Sequence, residues 1–84
     1  MVKVKLFANF REIAGKKILE IKARDVEELI SRLVDLFPDM EDLIEREEYL
    51  HVMVNGIHIN SLEKQRTKLE DEDVVAIFPP VSGG

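Results

Sequence analysis

The chain has 84 residues, no cysteine, two histidines and a formal net charge of −5. That length supports one domain with an efficient core, and the lack of cysteine excludes disulfides, zinc–thiolate sites and a thiol nucleophile. The acidic balance disfavours nucleic acid, whose phosphates demand clustered Lys and Arg, and no apolar run approaches the roughly 20 residues that span a bilayer.

Residues 2–9 alternate, with Val2, Val4, Leu6 and Ala8 on one face and Lys3, Lys5, Phe7 and Asn9 on the other. That period of two predicts a half-buried strand. Residues 10–15 read as a connection with Gly15 as the turn, and residues 17–23 as a second strand with Leu19 and Ile21 inward. The short separation suggests an antiparallel pair. Asp25 then opens a helix as its cap, with Glu28 three residues on. Val26, Leu29, Ile30, Leu33, Val34 and Phe37 recur at helical spacing, and Pro38 ends the run.

Residues 40–46 suit a short helical turn with Leu43 and Ile44 inward, while Glu41, Asp42, Glu45, Glu47 and Glu48 form a solvated acidic face. Residues 49–54 predict a third strand with Leu50, Val52 and Val54 inward. Asn55-Gly56 is the strongest hairpin signal in the chain, because a type I′ turn needs positive φ at both central positions. Residues 57–59 return as a fourth strand. Residues 61–73 are polar, with Leu69 as an anchor, and residues 74–78 form the fifth strand.

One helix must cover both the first and the last strand of this order. A mixed five-stranded sheet with a single main helix across it satisfies that demand, which is an α+β, β-grasp (ubiquitin-like) fold over residues 1–80. Residues 81–84 read as a flexible diglycine tail. Pro79 and Pro80 hold φ at about −65° and favour an extended approach. Gly83 and Gly84 carry no Cβ, so the backbone can lie flat in a narrow channel. The arm therefore reads as stiff spacer, bare tip and terminal carboxylate, as against the common frayed end without a role.

Strand parity puts Phe7, Met53, Ala76 and Phe78 on the face away from the core, with His51 at its rim. Two aromatics on adjacent strands beside the tail suggest a docking patch. His51 and His58 otherwise read as ordinary strand residues, and two histidines are too few for most metal sites. No metal is expected, and the sequence carries no Ser-His-Asp set and no phosphate-binding loop.

The element order, Leu6-Phe7-Ala8 followed by Arg11-Glu12 and Gly15, Val54-Asn55-Gly56, and above all Phe78-Pro79-Pro80-Val81-Ser82-Gly83-Gly84 resemble the small subunit of molybdopterin synthase. The resemblance spans the whole chain, and the terminal run is its specific part. It implies a cytoplasmic sulfur carrier in molybdenum or tungsten cofactor biosynthesis, with no active site and no bound cofactor of its own. An E1-like adenylating enzyme would use ATP to activate Gly84, which becomes a thiocarboxylate, while Gly83 threads the channel. The synthase large subunit would receive the tail, so that sulfur attacks a cyclic pyranopterin phosphate. Pro79, Pro80, Val81 and Ser82 would join Phe7, Met53, Ala76 and Phe78 in binding that subunit. The alternatives are a ubiquitin-like protein modifier, a sulfur carrier for thiamine or tRNA thiolation, or an interaction module with an inert tail.

Overall fold

Alternation drives the first strand, β1 (Val2–Leu6), in which Val2, Val4 and Leu6 are buried and Lys3 and Lys5 are exposed. The computed structural model describes residues 1–45 and 51–78. The expectations for Arg46, Glu47, Glu48, Tyr49 and Leu50 and for the tail lie outside the described residues.

Beyond β1 the sequence reading needs correction. Ala8 does not continue the inward face; it is exposed, with φ of 49°, and marks the end of the strand. Residues 10–15 are not a plain connection either. Asn9–Ala14 forms a helix, α1, that buries Phe10 completely and packs Ile13 and Ala14 against the core. Phe10, Ile13 and Ala14 have i, i+3, i+4 spacing, a helical signal too short to stand out. Gly15 ends the helix in the left-handed conformation, φ 71°, with its N–H donated to the Arg11 carbonyl at 2.8 Å.

Strand β2 (Ile18–Ile21) pairs antiparallel with β1, matching Val2 with Ile21 and Val4 with Leu19. The expected pairing forms over a shorter span than residues 17–23. Helix α2 (Val26–Leu36) begins as predicted, since Asp25 Oδ1 accepts the Glu28 N–H at 2.8 Å. The Glu28 carboxylate reaches back to the Arg24 N–H at 3.0 Å, one residue before the cap. Val26, Leu29, Ile30 and Leu33 form its buried face. We expect Asp25→Ala to cost about 1 kcal/mol, measured by urea unfolding, with Glu27→Ala on the exposed face as the neutral comparison.

After Phe37, a 3-10 turn (Pro38–Met40) and a short helix, α3 (Glu41–Glu45), add buried Met40 and Ile44 to the core. Strand β3 (His51–Val54) turns through Asn55 and Gly56, φ 51° and 84°, into β4 (Ile57–His58). Both angles are positive, as a type I′ turn requires. Ile59 leaves the strand and starts a 3-10 turn (Ile59–Ser61), and a second such turn (Lys64–Arg66) leads to buried Thr67 and Leu69.

Strand β5 (Val74–Phe78) closes the sheet, whose order is β2-β1-β5-β3-β4. Its pairing with β1 is parallel, and its pairing with β3 is antiparallel. A parallel neighbour needs a long crossover, and everything from β2 to β4 supplies it. Helix α2 covers one face of the sheet, where Val4, Leu6, Val52, Val75 and Ile77 meet Leu29 and Leu33 in a single cluster. No helix among the described residues covers the other face, which is the open face of the sheet.

Candidate functional site

The open face is built by register. Met53 lies opposite Ala76, and His51 opposite Phe78, across the β3–β5 pairing. Lys5 lies opposite Ala76, and Leu6 opposite Ile77, on the β1 side. Phe7 follows Leu6 directly, so parity returns it to the open face. Its ring stacks on that of Phe78, with centroids 4.4 Å apart and planes 11° from parallel. Phe7, Met53, Ala76 and Phe78 are all half-buried. The structure thus brings together the four residues of the described strands that the sequence suggested, with His51 next to Phe78.

A stacked aromatic pair is worth about 0.5–1.5 kcal/mol beyond its buried area. It also holds two rings in one orientation, which lowers the ordering cost when a partner docks. The rings sit at the C-terminal end of β5, immediately before Pro79. Pro79, Pro80, Val81, Ser82, Gly83 and Gly84 themselves lie outside the described residues.

The start of β5 is held by a device the sequence showed only as a turn. Asn55 Oδ1 accepts the Val74 N–H at 3.0 Å, and Asn55 Nδ2 donates to Asp73 Oδ1 at 3.0 Å. The Asn55 N–H donates in turn to the Val74 carbonyl at 2.8 Å. Three bonds therefore lock the β3–β5 register that sets Met53 opposite Ala76 and His51 opposite Phe78. The signal was the distance in sequence: Asn55 and Val74 meet only once the sheet has formed.

His51 and His58 are also brought together. Nδ1 of His51 lies 3.3 Å from Nε2 of His58, and the rings meet edge to face. The Asn60 N–H donates to His58 Nδ1 at 3.1 Å. Among the described residues no group of three or more His, Cys, Asp or Glu side chains is placed to hold a metal ion, and no helix is long and apolar enough to cross a membrane.

A mixed sheet in this strand order under one long helix defines a ubiquitin-like β-grasp domain. The family model of the ThiS family matches residues 4–84. The chain belongs to that family of ubiquitin-like sulfur carriers and modifiers. It is 30% identical to small archaeal modifier protein 3 of Haloferax volcanii, covering 99% of this chain and 98% of that protein. The solution structure of small archaeal modifier protein 1 from Methanosarcina acetivorans superposes with a TM-score of 0.88 at 37% identity, over 99% of this chain and 95% of that one. A Pyrococcus furiosus protein, provisionally assigned as molybdopterin converting factor subunit 1, gives 0.81 at 32% identity, over 95% and 97%.

If the stacked pair anchors a partner, removing either ring weakens the complex by about 1–3 kcal/mol. We expect that loss for Phe7→Ala and for Phe78→Ala in calorimetric titration against a protein partner of the chain, with an unchanged affinity for Ile57→Ala, an exposed side chain at the hairpin tip. Equal affinities for all three variants would remove the patch from the interface.

Proposed function

We propose that this chain is the sulfur-donating small subunit of a molybdopterin synthase. The observation that carries the reading is the Phe7–Phe78 stack on an open sheet face, at the point where β5 runs into Pro79-Pro80-Val81-Ser82-Gly83-Gly84. An aromatic anchor at the root of an arm can fix the body of the carrier while the arm enters another protein's active site. The likeness to the provisionally assigned converting factor subunit supports the same reading.

The chemistry needs little from the carrier. A carboxylate is a poor acyl donor, because its oxygens are poor leaving groups. Transfer of an adenylyl group from ATP, catalysed by an E1-like partner, makes a mixed anhydride at Gly84 and releases pyrophosphate. Attack by sulfide on the acyl carbon expels AMP and leaves a thiocarboxylate, a soft anionic nucleophile. Docking on the large subunit then raises its local concentration beside a cyclic pyranopterin phosphate. Each transfer forms one carbon–sulfur bond as a carbon–oxygen bond at the same pterin side-chain carbon breaks. Water then hydrolyses the resulting thioester, leaving sulfur on the pterin and restoring the Gly84 carboxylate.

The two modifier proteins among the relatives favour a second reading, in which activated Gly84 is joined to lysine amines of target proteins. Mass spectrometry after incubation with ATP, the activating enzyme and a sulfide source separates the two. A carrier gains the mass difference of one oxygen exchanged for sulfur at its C-terminus. A modifier is recovered as a Gly84 isopeptide on target lysines, and a chain that does neither is an interaction module.

A further inference from the structure

A cleft of about 590 Å³ opens beside β3 and β4, away from the stacked phenylalanines except where His51 borders both. Its floor is apolar, made by Ile30, Val52 and Ile59. Its rim carries Lys64 and Arg66, with Glu63 as the one acidic residue among the described lining. Arg24 and Arg32 pair with Glu28, whereas Lys64 and Arg66 enter no ion pair among the described residues. Two cations against one carboxylate is a local reversal in a chain of net charge −5.

The imidazoles decide what kind of guest fits. His58 Nδ1 accepts the Asn60 N–H, so its lone pair is in use and the ring proton sits on Nε2. That proton points at His51 Nδ1, 3.3 Å away, which must then accept and leave the second ring proton on Nε2. Both lone pairs are consumed inside the protein. The pair cannot ligate a metal through these nitrogens without breaking the Asn60 bond, and what it has left to offer is an N–H donor. The cationic turn is equally set. Lys64 is held at φ 55°, which non-glycine residues adopt only when their surroundings impose it. Its carbonyl accepts the Thr67 N–H at 3.0 Å, and buried Thr67 accepts the Glu63 N–H at 3.1 Å through Oγ1.

We propose that this cleft binds a small organic phosphate, its phosphoryl oxygens between Lys64 and Arg66 and its apolar part on the Ile30–Val52–Ile59 floor, with the paired imidazoles as a non-ligating wall. A guanidinium fork and an ammonium suit a tetrahedral dianion, and the volume is that of a small-molecule site. The test uses the free 84-residue chain, so its outcome is independent of the carrier reading. Phenyl phosphate is titrated into ¹⁵N-labelled protein at neutral pH and constant ionic strength, with inorganic phosphate and Zn²⁺ as separate arms. Expected are saturable shifts at the Asn60, Lys64 and Arg66 amides, with weaker binding of inorganic phosphate. The K64Q/R66Q variant loses at least tenfold in affinity while keeping its melting temperature, and both rings are protonated at Nε2. The proposal falls if phenyl phosphate shifts Lys3, Lys16 and Lys17 as strongly as the cleft, or does not saturate. It falls equally if binding survives K64Q/R66Q, if inorganic phosphate binds as tightly, or if Zn²⁺ saturates the two imidazoles.

Discussion

On the proposed carrier reading, extending the chain by one residue after Gly84 should abolish sulfur loading and leave the fold intact. An added residue turns the Gly84 carboxylate into an amide, which ATP cannot convert to an acyl adenylate at that carbon. The new terminal carboxylate carries a side chain beside it, whereas Gly83 and Gly84 present none. The tail lies beyond β5, and the described core is built from residues between Val2 and Ile77. The melting transition of the extended chain should therefore match that of the parent. Its thiocarboxylate yield, read by mass spectrometry with ATP, activating enzyme and sulfide, should fall to background. Calorimetric titration against the large subunit adds the third readout, because the Phe7–Phe78 stack is untouched. An extended chain that still gains sulfur would show that Gly84 is not the activated residue.

Phe10→Ala is expected to be the most damaging single change within the folded body. Phe10 is fully buried, and it holds a six-residue helix against the core. A helix that short has no stability of its own, so its packing through Phe10, Ile13 and Ala14 is what keeps it formed. Truncating a buried phenylalanine costs about 3–5 kcal/mol. Domains of this size have a total stability of about 5–15 kcal/mol. At roughly 4–8 °C per kcal/mol, the melting temperature drops by well over ten degrees on that scale. Arg11→Ala, one residue along and exposed, should shift stability by less than about 0.5 kcal/mol. If the two variants melt together, Phe10 is not the anchor that its burial implies.

The helix that Phe10 anchors also shows where sequence reading runs short. Six residues give under two turns, too few for a 3.6-residue period to separate from noise, and Gly15 was read only as a turn. Helix α2, with eleven residues and a capping Asp25, carried enough repeats to be read correctly. The open face was legible for a related reason. Strand parity is a period of two, and five residues suffice to establish it for β1 and for β5. Phe7, Met53, Ala76 and Phe78 could thus be assigned to one side. That Phe7 and Phe78 stack could not be known, because ring geometry depends on the parallel β1–β5 register, which joins strands far apart in the chain.

The histidine pair is the sharper case. His51 and His58 stand seven residues apart, and nothing local marks them as partners. Only the antiparallel β3–β4 hairpin sets Met53 opposite His58 and so brings His51, two residues along, within reach of it. The Asn60 N–H then settles the tautomers. No periodicity encodes such a contact.

Hydrophobic periodicity, the Asp25 cap and the Asn55-Gly56 turn are local properties, and they alone determined the main helix, the approximate place of the five strands and the buried faces of β1, β3 and β5 within their described spans. Register, the stacked rings, the paired imidazoles and the cationic cleft join residues far apart in the chain. The tertiary structure decided them, because their energies arise only after the sheet and helix have closed on a shared core.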